Sequence, residues 1–331
     1  MNATISGAGS TLAAPIYETW ASALKSGQAL TVNYNGTGSG AGVSSLQGKT
    51  VAFAGSDPAL KPKDVKGFKG KKTFQFPVAA GAITVSYNVP GVKTGLKLTG
   101  PVIADIFDGT VTKWNSPEIK SLNPGVKLPS TAIHTVYRSD SSGTTNGFTT
   151  FLSATSPTFK SKVGAGKSVK FPVGSGASGN PGVATAVSQT PGSVGYVEQA
   201  YALQHKFTYA SVKNAAGKWV APTIPASSAA FTGIKVPSNL GLSTINSKTA
   251  SAYPIVSQTF LDTYQDPCKD GGLNQTKAKG LKAFLTYAFG AGQKTFGTGQ
   301  GQLPYASLPA AIASKDNAQL AKLTCNGKPI K

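Results

Sequence analysis

The chain has 331 residues, enough to bury a large core and to favour two domains over one. Hydrophobic residues at 40% and charged residues at only 13% exclude a disordered chain, and 39 glycines without a Gly-X-Y period exclude a collagen-like one. The 32 basic residues against 12 acidic ones give a formal charge of +20, which suits nucleic acid, an acidic polymer, an anionic surface or a small anion. The lysines are scattered, with the densest patch at 61–72, and they are not interleaved with aromatics as a specific nucleic-acid track would require.

In chain order, residues 3–17 read as a short strand, a Gly-rich turn and a helix capped by Ser10 or Thr11, with Pro15 early and Ile16, Trp20 and Leu24 on one face. Residues 31–35 alternate as a strand, run into Gly36-Thr-Gly-Ser-Gly-Ala-Gly42 and enter a second helix through Val43 and Leu46. The turn lacks the Gly-Lys-Ser/Thr ending of a nucleoside-triphosphate loop, and no acidic residue follows at Rossmann distance, so a nucleotide fold is not expected. Residues 51–54 form a short strand that places Asp57 at its end, where it either caps a turn or accepts a hydrogen bond from an anion that carries a proton. Residues 61–72 read as a solvated basic loop. The long apolar run at 74–88 and the run at 253–261 suit strands that pass from one domain to another.

A short helix follows through Ile103, Ile106 and Phe107, and Trp114 reads as core. A strand over 129–137 leads into Arg138-Ser-Asp-Ser-Ser-Gly-Thr144, where a permanent cation stands beside a polar turn that opens a helix held down by Phe148, Phe151 and Leu152. Such a segment is an oxyanion seat, unless its Arg, Asp and Ser simply satisfy one another. Further strands and helices are expected around 171–187 and 194–203, then mostly loop over 218–248, a long helix at 276–289 and a last helical region at 305–323. The alternation makes an α/β protein. Its lobes are expected to be 1–80 with 256–331, and 81–255, with any anion seated between them.

Cys268 and Cys325 are too far apart for a redox pair, and with only His134 and His205 no metal cluster can be assembled. Both cysteines sit in polar turns, which favours a disulfide over two buried thiols, and hence an exported protein. No stretch is long and apolar enough to cross a membrane. The first residues suit a secreted domain freed of its leader, and equally a cytosolic protein.

Taken together, Gly7-Ala-Gly-Ser-Thr-Leu-Ala-Ala-Pro15, Gly38-Ser-Gly-Ala-Gly42, Ser56-Asp57, Ile106-Phe-Asp-Gly-Thr-Val-Thr-Lys-Trp-Asn115, Arg138-Ser-Asp-Ser-Ser-Gly-Thr144, Gly192-Ser-Val-Gly-Tyr-Val197 and Leu303-Pro-Tyr-Ala-Ser-Leu-Pro309 resemble the phosphate-binding proteins of bacterial high-affinity phosphate import. The resemblance covers nearly the whole chain. It implies a two-lobed periplasmic-binding-protein fold with two crossover strands, and inorganic phosphate in the interlobe cleft. Thr11, Leu12 through its backbone N–H, Ser39, Asp57, Arg138, Ser142, Gly143 and Thr144 would contact the phosphate. Asp140 would orient Arg138, and Ser10 would support the site from behind. Family members often carry phenylalanine where this chain has Leu12, so that wall of the pocket differs. The resemblance further implies a monomeric, non-enzymatic receptor without cofactor, periplasmic or at the cell surface, that delivers phosphate to an ABC permease and its ATPase. The strong basicity exceeds what the resemblance leads one to expect and leaves room for an anionic surface as an additional partner. Two other readings stand beside it. A phosphatase would use Ser142 or Ser39 as nucleophile, but neither histidine lies in a motif that orients a base. An adhesion or scavenging protein would use the basic surface on the same fold.

Overall fold

The computed structural model describes residues 2–330. Strand β1 (Ala3–Gly9) leads to helix α1 (Ala14–Gln28), β2 (Leu30–Asn35) to α2 (Ser39–Gln47), and β3 (Phe53–Ser56) to α3 (Pro62–Gly67) and the long β4 (Thr73–Asn88). Next come β5 (Lys97–Leu98), α4 (Gly100–Phe107), α5 (Pro117–Leu122), β6 (His134–Arg138), α6 (Gly143–Thr155), α7 (Pro157–Lys162), β7 (Ser175–Ala177), α8 (Gly179–Gln189), β8 (Ser193–Glu198) and α9 (Gln199–Gln204). The chain finishes with β9 (Thr208–Tyr209), β10 (Ser211–Lys213), β11 (Trp219–Val220), α10 (Ile224–Ala229), β12 (Val256–Tyr264), α11 (Gln275–Phe289), a 3-10 turn (Ala291–Thr295), α12 (Ala310–Leu320), β13 (Thr324–Cys325) and β14 (Lys328–Pro329).

The chain forms two compact α/β units. The first runs through Ala80 and takes in Ile234–Ser243 and the chain from Gln258 onward; the second is Gly81–Gly233 with Thr244–Ser257. Strands β4 and β12 therefore each cross from one unit into the other within a single element.

In the first unit β1 lies between β2 and β3, parallel to both, and β12 adds antiparallel to β3. Its core is aromatic. Tyr17 packs 5.6 Å from Phe53 and 4.5 Å from Tyr34, and Phe284 of α11 closes on Phe53 at 5.0 Å. Helix α2 comes unusually close to β1, because a Cβ on Gly42 would stand 2.4 Å from Gly9 Cα and 2.5 Å from the Ala8 carbonyl oxygen. Only glycine permits that approach, and it brings the start of α2 to the end of β1.

In the second unit β8 pairs antiparallel with β4 and parallel with β6, which carries β7 on its other side. Phe148 of α6 stacks on Tyr196 of β8 at 4.3 Å, with Phe107 4.9 Å from Phe148. Each of these rings is fully or almost fully buried. Trp114 is buried core as expected, its indole N–H donating to the Gly192 carbonyl at 2.9 Å.

Several local expectations change. Helix α1 has Ala13 as its cap, with no side-chain cap bond, and neither Ser10 nor Thr11 fills that place. Ser10 is turned to another partner and accepts the Ala13 N–H only at 3.3 Å. The basic stretch 61–72 contains a helix, α3, started by Pro62 and by the Asp64 carboxylate, which accepts the Lys61 N–H at 2.9 Å. Residues 129–133 do not extend β6, since the Thr131 carbonyl and the Ile133 N–H bond back to Trp114 and Thr112. The last helix begins only at Ala310, because Ala306 exchanges two backbone hydrogen bonds with Ala80 and prolines stand at 304 and 309. Cys268 and Cys325 form a disulfide.

Candidate functional site

The first unit gathers Ser10, Ser39 and Asp57 where β1 and β3 end and α2 begins. Asp57 is fully buried, with 0% of its surface exposed. Its Oδ2 accepts the Ser10 hydroxyl at 2.9 Å and the Ser39 hydroxyl at 3.2 Å, and its own N–H donates to Ser39 Oγ at 3.2 Å. A carboxylate withdrawn from water needs such donors, because an uncompensated buried charge costs several kcal/mol. Ser39 is also the first residue of α2, so the positive end of that helix lies at the carboxylate. Thr11 and Leu12 occupy the buried turn between β1 and α1, and the Leu12 carbonyl accepts the Tyr305 hydroxyl at 2.7 Å. The negative field of Asp57 reaches Tyr17, whose hydroxyl pKa is pushed well up, first by burial and then by Asp262 and Asp57.

The second unit builds around Arg138, the last residue of β6, which is 5% exposed. Its guanidinium is clamped from one side by Asp140: Nε donates to Oδ1 at 2.7 Å and Nη2 donates to Oδ2. Nη1 points instead to Thr144 Oγ1 at 3.3 Å. Asp140 also accepts the Gly179 N–H, the first of α8, at 3.0 Å. Burial alone would raise the Asp140 pKa, but the hydrogen bond and charge of Arg138 with the Gly179 N–H hold it below the usual carboxylate range. Ser142 caps α6 by accepting the Thr145 N–H at 3.0 Å, which leaves Gly143 and Thr144 as the first two helical residues. Their N–H groups belong to the set that an α-helix does not satisfy internally. Side-chain placement traces back to the core: Tyr196 accepts the Arg138 backbone N–H at 3.0 Å and hydrogen-bonds the Thr145 hydroxyl at 2.7 Å while its ring stacks on Phe148.

The residues singled out from sequence thus fall into two clusters, Ser10, Thr11, Leu12, Ser39 and Asp57 in the first unit, and Arg138, Asp140, Ser142, Gly143 and Thr144 in the second. Sequence reading passed over Asn180. Fully buried at the start of α8, it donates to Thr144 Oγ1 at 3.1 Å and accepts the Glu198 N–H at 2.9 Å, so it fixes the hydroxyl that faces Arg138. The signal was present, since Ser178-Gly-Asn-Pro-Gly182 repeats the polar-turn-then-helix pattern of the other segments. Neither histidine joins a cluster, so no serine here has an imidazole beside it: Ser39 donates to a carboxylate shared with Ser10, and Ser142 caps α6. Chemically, the first cluster is an acceptor flanked by hydroxyl donors, and the second is a fixed cation at a helix start.

These features, with crossover strands between two α/β units, define the class of two-lobed solute receptors, and residues 2–291 match the family described as PBP superfamily domain. The chain belongs to that superfamily and, within it, to the PstS phosphate-binding proteins. It is 38% identical over 323 residues to the phosphate-binding protein PstS of Xylella fastidiosa strain 9a5c, covering 96% of this chain and 85% of that one. It is likewise 38% identical over 321 residues to PstS of Haemophilus influenzae, covering 96% and 92%. In fold it is similar to the crystal structure of a phosphate-binding protein from Stenotrophomonas maltophilia, with a TM-score of 0.69 over 99% of each chain at 22% identity.

Proposed function

We propose that this chain is the phosphate receptor of an ABC importer: it binds one inorganic phosphate, as a monomer, and delivers it to the membrane permease that its ATPase partner drives. The observation that carries this is the Arg138 arrangement. Two of the three guanidinium nitrogens are committed to Asp140, and the third is aimed with Thr144 at the start of α6. A fork held in this way loses little further entropy on meeting an oxyanion. Thr11, Ser142 and Thr144 and the N–H groups of Leu12, Gly143 and Thr144 supply the remaining donors, and Ser39 joins them by turning its hydroxyl from Asp57 to the anion. Asp57 supplies the acceptor that a protonated phosphate needs and a fully deprotonated oxyanion cannot use. Identity of 38% to PstS proteins along 96% of the chain supports the same ligand and an exported location, to which the disulfide is suited. Kinship with the PstS phosphate-binding proteins likewise supports a receptor and not an enzyme.

The test is titration calorimetry on protein stripped of anion by unfolding and refolding, with phosphate and sulfate in parallel. Tight one-to-one phosphate binding with negligible response to sulfate is expected. Arg138→Ala should weaken phosphate about a hundredfold or more, since two charge-assisted hydrogen bonds of roughly 1.5 kcal/mol each are lost. Refolded wild-type protein that takes up no phosphate would overturn the reading.

A further inference from the structure

We propose that the outer face of the small sheet β5-β10-β11 is a contact site for an anionic phospholipid bilayer. The three strands lie in the order β11-β10-β5, and the registers Lys213↔Trp219, Ser211↔Lys97 and Val212↔Leu98 sort their side chains cleanly. Lys97, Ser211, Lys213 and Trp219 fall on one face, and Leu98, Val212 and Val220 on the other. Leu98 and Val212 are fully buried, so the lysine and tryptophan face points outward. On it Lys213 Nζ stands 5.6 Å and Lys97 Nζ 5.8 Å from the centre of the Trp219 ring. Both lysines are exposed and Trp219 is half-buried.

No acidic residue lies on the strands that carry this charge or in the sequence around them. The sequence contains no acidic residue between Asp64 and Asp105, the stretch that holds β5, and none between Glu198 and Asp262, the stretch that holds β10 and β11. Among the described residues neither Lys97 nor Lys213 is in an ion pair. Two ammonium groups drawn over one indole, with no carboxylate to hold them, form a surface whose complement is negative.

Form decides which negative partner. A single-stranded nucleic acid is gripped by successive aromatic rings along a groove, and this face carries one ring, already covered by two cations. An indole with an apolar body and a polar N–H, flanked by lysines whose stems can lie along it, is the combination that seats at a lipid headgroup layer. Such a contact is weak by design and reversible. It would hold the protein near the membrane through a face made of residues other than those assigned to phosphate.

The molecule supplies its own reporter. Of three tryptophans, Trp20 and Trp114 are 0% exposed, which leaves Trp219 as the one an added surface can reach. The experiment uses the full chain with saturating phosphate, mixed at low salt with vesicles of phosphatidylcholine containing phosphatidylglycerol or with pure phosphatidylcholine. Flotation and tryptophan emission are read together, and a single-stranded DNA oligonucleotide serves as a third arm. Co-flotation and a blue shift with the anionic vesicles alone are expected. The Lys97→Gln/Lys213→Gln double variant should partition about 25-fold more weakly, about fivefold per lysine, while keeping phosphate affinity. Trp219→Phe should abolish the emission shift. Absence of flotation, equal flotation of the double variant, or an emission response to the oligonucleotide with none to vesicles would overturn the assignment.

Discussion

Arg138 and Asp57 pose the same physical problem, a charge removed from water, and solve it differently. Arg138 keeps a carboxylate of its own, so its cluster is charge-compensated before any ligand arrives. Asp57 receives hydroxyls from Ser10 and Ser39, dipoles that leave its charge in place. A ligand proton directed at Asp57 would find an acceptor, and an unprotonated oxygen would meet repulsion. Asp57→Asn should therefore weaken phosphate and admit sulfate, narrowing the ratio of the two affinities by about tenfold, the worth of one charged hydrogen bond. Competition of sulfate against labelled phosphate reads the ratio directly, and an unchanged ratio would remove Asp57 from selectivity. Arg138, Asp140 and Ser142 were legible in sequence because one short segment holds them together. Asn180 was not, because its role comes from a partner 36 positions away that the pairing of β6 and β7, with Arg138 opposite Ala177, brings near. The cap expected of Ser10 gives way for the same reason, since its hydroxyl answers to a residue 47 positions on.

Among the elements, α12 breaks the rule that the others follow. Ile312, Asp316 and Leu320 recur at four-residue spacing on its buried face, which puts a carboxyl in the middle of an apolar stripe. Asp316 is 0% exposed, and neither carboxyl oxygen has a hydrogen-bond partner among the described residues. Burial, with no neighbouring charge to offset it, pushes its pKa up to about 9. Its folded pKa lies above its unfolded value, so its contribution is fully present below pH 3.8 and drains away as pH rises toward 9, while the unfolded carboxyl ionises and the folded one stays protonated. Asp316→Asn cannot ionise. Denaturant unfolding should show the variant gaining on the wild type by up to about 1.4 kcal/mol per pH unit between pH 5 and 8, and parallel pH profiles would contradict it. Sequence periodicity made α1, α6 and α11 readable, because their apolar stripes are uninterrupted by charge. The helical region expected from residue 305 starts later, because Ala306 pairs with Ala80 and pairing of distant backbone leaves no local period. The return of Ile234–Ser243 to the first unit was hidden likewise: the segment has no regular element, and Gln75, which donates to the Asn239 carbonyl at 2.9 Å, lies 164 residues upstream.

At the scale of the whole molecule, a net charge of +20 sets a field that no single contact describes. With 32 basic residues against 12 acidic ones most of the lysines cannot be paired, so they hold the surface positive without stabilising the fold. Self-repulsion of this size works against compactness, and the Cys268–Cys325 bond, which closes a loop with a separation of 57 residues, offsets part of it. Replacing both cysteines by serine should lower unfolding stability by about 2–4 kcal/mol, read from denaturant midpoints. The loss should grow as salt is removed and repulsion rises. The same field draws phosphate in. Long-range attraction acts before contact, so it belongs to the association rate, whereas dissociation depends on the short, buried contacts that salt scarcely screens. Stopped-flow binding should therefore show association slowing several-fold between low and near-physiological salt while dissociation holds constant. Replacing scattered surface lysines by glutamine should flatten that slope without altering the preference for phosphate over sulfate. If salt instead altered dissociation, the charge would have to sit at the bound anion itself, and the separation between a steering surface and a selecting cluster would fail.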